Sequence, residues 1–63
     1  MVTKIKELRE KLGMTQDALA QASGVSRTVI SQLENGSREV ITSKTMLNIA
    51  QALDAPIEQI FLP

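Results

Sequence analysis

The segment from Thr15 to Gly36, TQDALAQASGVSRTVISQLENG, constrains the fold more than any other part of the chain. It reads as a helix, a glycine turn, a second helix and a glycine stop. Two short helices joined by so tight a turn meet at a steep angle, which leaves the second one projecting from the body of the domain. Thr15 and Ser26 stand where N-caps belong, and Asp17 lies in the first turn, at the positive end of the helix dipole. Leu19 and Ala20 should face inward from the first helix of the pair, as should Val29, Ile30 and Leu33 from the second. The outer face of the second helix is then Arg27, Thr28, Ser31 and Gln32, with no apolar group larger than a threonine methyl.

The flanking segments supply the body. Ile5, Leu8 and Leu12 recur at helical spacing, which predicts an amphipathic helix from about Thr3 to Leu12, stopped at Gly13 with Met14 packing back. After Val40 and Ile41, in a loop or short extended piece, either Thr42 or Ser43 caps a fourth helix with the apolar stripe Met46, Ile49, Ala50 and Leu53. Pro56 fits the first position of a short fifth helix whose apolar side is Ile57, Ile60 and Phe61. No strand pattern is found. The expected fold is all-α: five helices around one small core, in a single domain spanning 1–63.

Composition removes several classes of function. With 63 residues the chain lies where folding buries roughly 60% of the unfolded surface, so stability is marginal and a partner subunit would help. There is no cysteine and no histidine, so thiolate metal sites, the commonest metal ligand and the commonest general base are all missing. Asp17, Glu34 and Glu39 fall at helix ends and in loops with no motif linking them, so no catalytic residue, metal, cofactor or small-molecule ligand is expected. Lys4, Lys6, Glu7 and Arg9 follow the first residues directly, without the apolar stretch of a signal peptide, and no run is long enough to cross a bilayer. The expected address is cytoplasmic. One phenylalanine cannot build a base-stacking platform for single strands. The net charge of zero gives no general attraction to phosphate, so any nucleic-acid contact must come from how the charges are distributed.

The chain resembles the Cro/C1-type helix-turn-helix regulators, the Xre family that includes the phage repressors. The likeness runs along nearly its whole length: Arg9 in KELREKLGMTQDALA, Gln16, Ala20 and Gly24 at four-residue spacing, the run VSRTVISQLENGSR, and the closing MLNIAQALDAPIEQIF. The resemblance implies binding to double-stranded DNA, with the second helix of the pair in the major groove. Arg27, Thr28, Ser31 and Gln32 would then read bases. Arginine can donate two hydrogen bonds to guanine, glutamine can pair with adenine, and a threonine methyl can meet that of thymine. It also implies phosphate contacts from Thr15, Gln16, Ser26, Asn35, Arg38 and Lys44, and an ion pair between Arg9 and Glu34 that fixes the angle of the reading helix. Asp54 stands where the family often has glycine, and Glu39 where relatives often carry a basic residue.

One such module covers too little DNA for high specificity, so a homodimer on a palindrome is expected, most simply acting as a repressor. Ile57, Ile60, Phe61 and Leu62 are the expected dimer surface; the alternative is that they close the core. The rival reading is a protein-interaction module, an antitoxin or a scaffold domain, which would show an exposed apolar patch on the projecting helix.

Overall fold

The computed structural model describes residues 1–62; Pro63, the last residue of the expected domain, lies outside them. Three hydroxyl caps set the helix starts. Thr15 Oγ1 accepts from the Ala18 amide at 3.0 Å and begins α2 (Gln16–Ser23). Ser26 Oγ accepts from Val29 at 3.2 Å and begins α3 (Arg27–Glu34). Thr42 Oγ1 accepts from Thr45 at 3.2 Å and begins α4 (Ser43–Leu53), which decides between the two candidate caps. In each case the acceptor satisfies an amide three residues on that the helix itself leaves without a partner.

Helix ends follow from backbone conformation. Gly24 closes α2 at φ 70°, a left-handed geometry that a side chain would resist, and its amide donates to Ala20 O. Asp54 closes α4 in the same region at φ 52°, the one non-glycine residue among those described to do so. Aspartate tolerates this conformation better than most residues, so the departure from glycine leaves the turn intact.

The first helix, α1 (Ile5–Lys11), starts two residues later than its periodicity suggests. The reason is a strand pair that the sequence did not disclose: β1 (Val2–Thr3) runs antiparallel to β2 (Phe61–Leu62), with Val2 opposite Leu62 and Thr3 opposite Phe61. Two residues are too few to show alternation, and the pairing joins segments almost a full chain apart. Thr3 is thereby drawn out of the helix, and its hydroxyl donates to Leu33 O at 3.1 Å, tying the first strand to α3. Pro56 sits one position before the helix start, as the cap of α5 (Ile57–Ile60). The fold is all-α in its helices, five in number among the described residues, with this small strand pair added.

Every helix contributes to one core. Ile5 of α1, Leu19 of α2, Ile30 and Leu33 of α3, Ile49 of α4 and Ile60 of α5 are fully buried, and Val25, Ala50 and Leu53 fill between them. The core residues expected of α2, α3 and α4 lie on the inner faces except Met46, which is half-buried and outside the core cluster; Leu12 also falls outside it, capping α1 and 53% exposed. Ile60 is a correction to the expected dimer surface. Its side chain has no exposure at all and closes the core.

Asp54→Gly should relieve the left-handed strain and raise stability by up to about 1 kcal/mol, while Asp54→Val should lower it. Urea denaturation with the midpoint shifting up for glycine and down for valine is the expected result.

Candidate nucleic-acid interface

The α2–α3 pair is held from behind by a buried polar network. Arg9 on α1 donates from Nε to Glu34 Oε2 at 2.8 Å and from Nη2 to Glu34 Oε1 at 3.1 Å, and its Nη1 donates to Met14 O at 2.8 Å. Gln16, the first residue of α2, donates from Nε2 to Glu34 Oε1 at 3.1 Å. The side chains of Arg9 and Glu34 are only 10% and 6% exposed. Glu34 ends α3, so three helices are clamped at one carboxylate. No described buried side-chain polar atom is left without a partner.

Burial pushes the Glu34 carboxyl up. The hydrogen bonds from Arg9 and Gln16, with the charges of Arg9 and Lys6, outweigh it and hold the group below the usual carboxylate range. The hydrogen bond to Glu34, joined by the nearby charges of Glu34 and Glu10, raises Arg9 against its own burial.

In front of this clamp α3 turns its polar face outward. Arg27 and Thr28 are exposed, Ser31 and Gln32 half-buried, and with Gln16 these four line a shallow concavity of about 320 Å³. All the residues expected to read bases are thus brought to one surface, together with Gln16 of those expected at phosphate. Arg27 leans back on α2: its Nε donates to Gln16 Oε1 at 3.4 Å and its Nη1 lies 3.4 Å from Asp17 Oδ1. Both ends of that ion pair are about two-thirds exposed, so the contact is a loose one that solvent screens.

A second hollow, of about 420 Å³, opens between the Gly24 turn and α4. It brings together Ser26, Arg38 and Lys44. Thr42, Thr45 and Asn48 also line it, though none of the three was expected at the interface. Lys44 and Asn48 lie four residues apart on the polar side of α4, and that spacing was the available signal. Thr15 and Asn35 fall outside both hollows. Thr15 is occupied as a cap, while Asn35 is exposed and its Oδ1 accepts from the Ser37 amide at 2.9 Å, shaping the turn after α3. Glu39 is exposed, with its carboxylate 3.7 Å from the Met1 amine.

The fold has counterparts among known proteins. A helix-turn-helix family model, HTH_3, matches residues 5–60. The chain belongs to this family. It is 44% identical over 62 residues to an uncharacterised HTH-type transcriptional regulator of Archaeoglobus fulgidus, covering 98% of this chain and 86% of that protein. It is 42% identical over 55 residues to the HTH-type transcriptional repressor RghR of Bacillus subtilis, covering 87% of this chain and 41% of the longer relative. Among solved structures it is similar to the restriction-modification controller protein C.AhdI of Aeromonas hydrophila, with a TM-score of 0.82 and 34% identity over 92% of this chain and 86% of that one. The protein is therefore a transcriptional regulator with a helix-turn-helix DNA-binding domain, and its family is not one of enzymes. No helix among the described residues is long and apolar enough to cross a membrane.

Within this helix-turn-helix domain the buried pair should behave as a unit. Arg9→Met or Glu34→Leu alone should each cost about 3–5 kcal/mol, because each leaves a buried charge unpaired, and the double substitution should cost much less than their sum. Chemical denaturation of the four proteins measures the coupling. The lowered pKa also fixes the sign of the acid response. Glu34 contributes stability that is fully present above its unfolded pKa and is lost as pH falls through the carboxylate range toward the folded value. Glu34→Gln should flatten the fall of the thermal midpoint with pH across that range.

Proposed function

We propose that this domain binds double-stranded DNA as a homodimer on a palindromic operator and acts as a repressor, with α3 lying in the major groove. The observation that carries the reading is the polar outer face of α3. It is held at a fixed angle by a buried clamp and offers hydrogen-bonding groups, with nothing apolar larger than a threonine methyl, around one concavity. Arg27, Thr28, Ser31 and Gln32 are its base-contacting residues. Thr15, Gln16, Ser26, Asn35, Arg38 and Lys44 contact the phosphates on either side, where the N-termini of α2 and α3 also favour an anion. Gln16 can do so without releasing Glu34, since its amide nitrogen carries two hydrogens and spends one on the carboxylate. Such a regulator acts in the compartment that holds the DNA, the cytoplasm.

A protein-interaction role would need an apolar patch on α3. Among the described residues the exposed large apolar ones are Val2, Leu12, Val40 and Leu47, and none lies on that helix. The dimer surface proposed here lies away from α3, between α4 and α5. There Leu47, 48% exposed, and half-buried Ile57 flank a hollow of about 530 Å³. Phe61 and Leu62 are half-buried and pair with β1, so they extend that surface only at its edge.

Selection from random duplexes should enrich a palindrome with half-sites ~34 Å apart, one turn of the double helix. Gln32→Ala should relax the preference at one base pair per half-site. Lys44→Ala should instead weaken all duplexes alike and make the salt slope shallower by about one unit. Leu47→Glu should shift sedimentation toward the monomer while the circular dichroism of the helices is retained.

A further inference from the structure

Gln32 is the half-buried member of the outer α3 face whose side-chain amide has a charged partner. Arg38 Nη1 donates to Gln32 Oε1 at 2.7 Å, short and charge-assisted. The guanidinium is itself held, since its Nε donates to Val40 O at 3.1 Å. The backbone closes the same loop: the Ser37 amide donates to Gln32 O at 3.0 Å, and the Arg38 amide approaches it at 3.4 Å. Residues 32 and 38 are thus joined at both backbone and side chain.

The two ends of a glutamine amide are hard to tell apart by shape, but the chemistry of the partner decides here. A guanidinium has five N–H donors and no acceptor, so only the carbonyl oxygen of Gln32 can face it. The NH₂ group is thereby left on the side away from the loop. A freely rotating glutamine reads adenine by accepting from N6 and donating to N7, and it needs both ends of the amide to do so. The oxygen keeps a second lone pair, but it is turned toward the loop and its cation, so the amide leads with its donors. Donors suit a base edge made of acceptors: O6 and N7 of guanine, or O4 of thymine.

We propose that Arg38 is a positioning residue that sets which base Gln32 recognises, by holding its carbonyl inward and biasing the contact away from adenine toward an acceptor edge. This rests on the reading of α3 as the base-contacting helix. It adds a second role to a residue whose position alone suggests only a phosphate contact. The remaining guanidinium hydrogens stay available for phosphate, so one side chain links the backbone contact to the base contact.

The test is binding of the wild type, Gln32→Ala, Arg38→Ala, Arg38→Lys and the Gln32→Ala/Arg38→Ala double variant. Each is measured against the selected duplex and against duplexes changed at each base pair in turn. The pair whose preference Gln32→Ala abolishes should carry guanine or thymine in the wild-type site. Arg38→Ala should shift preference at that same pair toward adenine by about 5- to 10-fold. In the Gln32→Ala background it should weaken all duplexes without changing preference. Arg38→Lys keeps the positive charge but lacks the rigid fork that spans Gln32 and Val40, so it should show the same shift in preference with the salt slope nearly unchanged. Thermal melts identify any variant that has lost its fold, and the lysine variant then carries the comparison. Uniform weakening by Arg38→Ala and Arg38→Lys at every position, or adenine preferred by the wild type at the Gln32 pair, would overturn the proposal. A protein that selects no sequence at all overturns base reading itself, and this inference with it.

Discussion

The buried contact of Arg9 with Glu34 is the constraint on which the rest of the structure depends. A chain of this size has one or two isoleucines or leucines per helix at the centre of its core, with little to spare for fixing how the helices cross. Apolar contacts are tolerant of small rotations. A forked guanidinium on a carboxylate is not. Because Glu34 ends α3, Gln16 begins α2 and Arg9 lies on α1, one carboxylate fixes three helices at a common point. The pair need add little net stability to do this, since burying both charges costs about as much as their attraction returns. Its contribution is a single geometry, on which an interface that must match a groove depends.

The same pair bears on electrostatics. A chain of zero net charge has no general attraction for phosphate. Withdrawing Glu34 into the interior against Arg9 removes one negative charge from the neighbourhood of α3, leaving Arg27, Arg38 and Lys44 against Asp17 and Glu39. The excess is small, so affinity must come from geometry and direct contacts more than from long-range attraction. That balance is consistent with the proposed pairing with a second copy.

Much of the fold was legible because its signals are local. Thr15, Ser26 and Thr42 bond to amides three residues away, and Gly24 needs only its own φ, so short windows of sequence contain the cause. The strand pair was not legible. Val2 and Thr3 meet Phe61 and Leu62 only because five helices bring the two segments together, and nothing in either dipeptide announces it. Ile60 shows a related blind spot, since a terminal apolar residue can close a core or pair two subunits with the same pattern. For the site, residue types placed Arg27, Thr28, Ser31 and Gln32 on one face by helical spacing. The bond from Arg38 to Gln32 crosses a loop of irregular backbone, where spacing predicts nothing, and it emerged only with the side chains in place.

We propose that the outer face of α3, held by the Arg9–Glu34 clamp, is the surface that meets base pairs in duplex DNA. Following the backbone amides and the side-chain NH resonances of Arg27 and Gln32 by NMR during titration with a selected duplex tests it most directly. The largest changes are expected at Arg27, Thr28, Ser31 and Gln32, smaller ones at Gln16, Arg38 and Lys44, and none in the clamp between Arg9 and Glu34. Changes centred on Leu47 and Ile57 with α3 silent would contradict it.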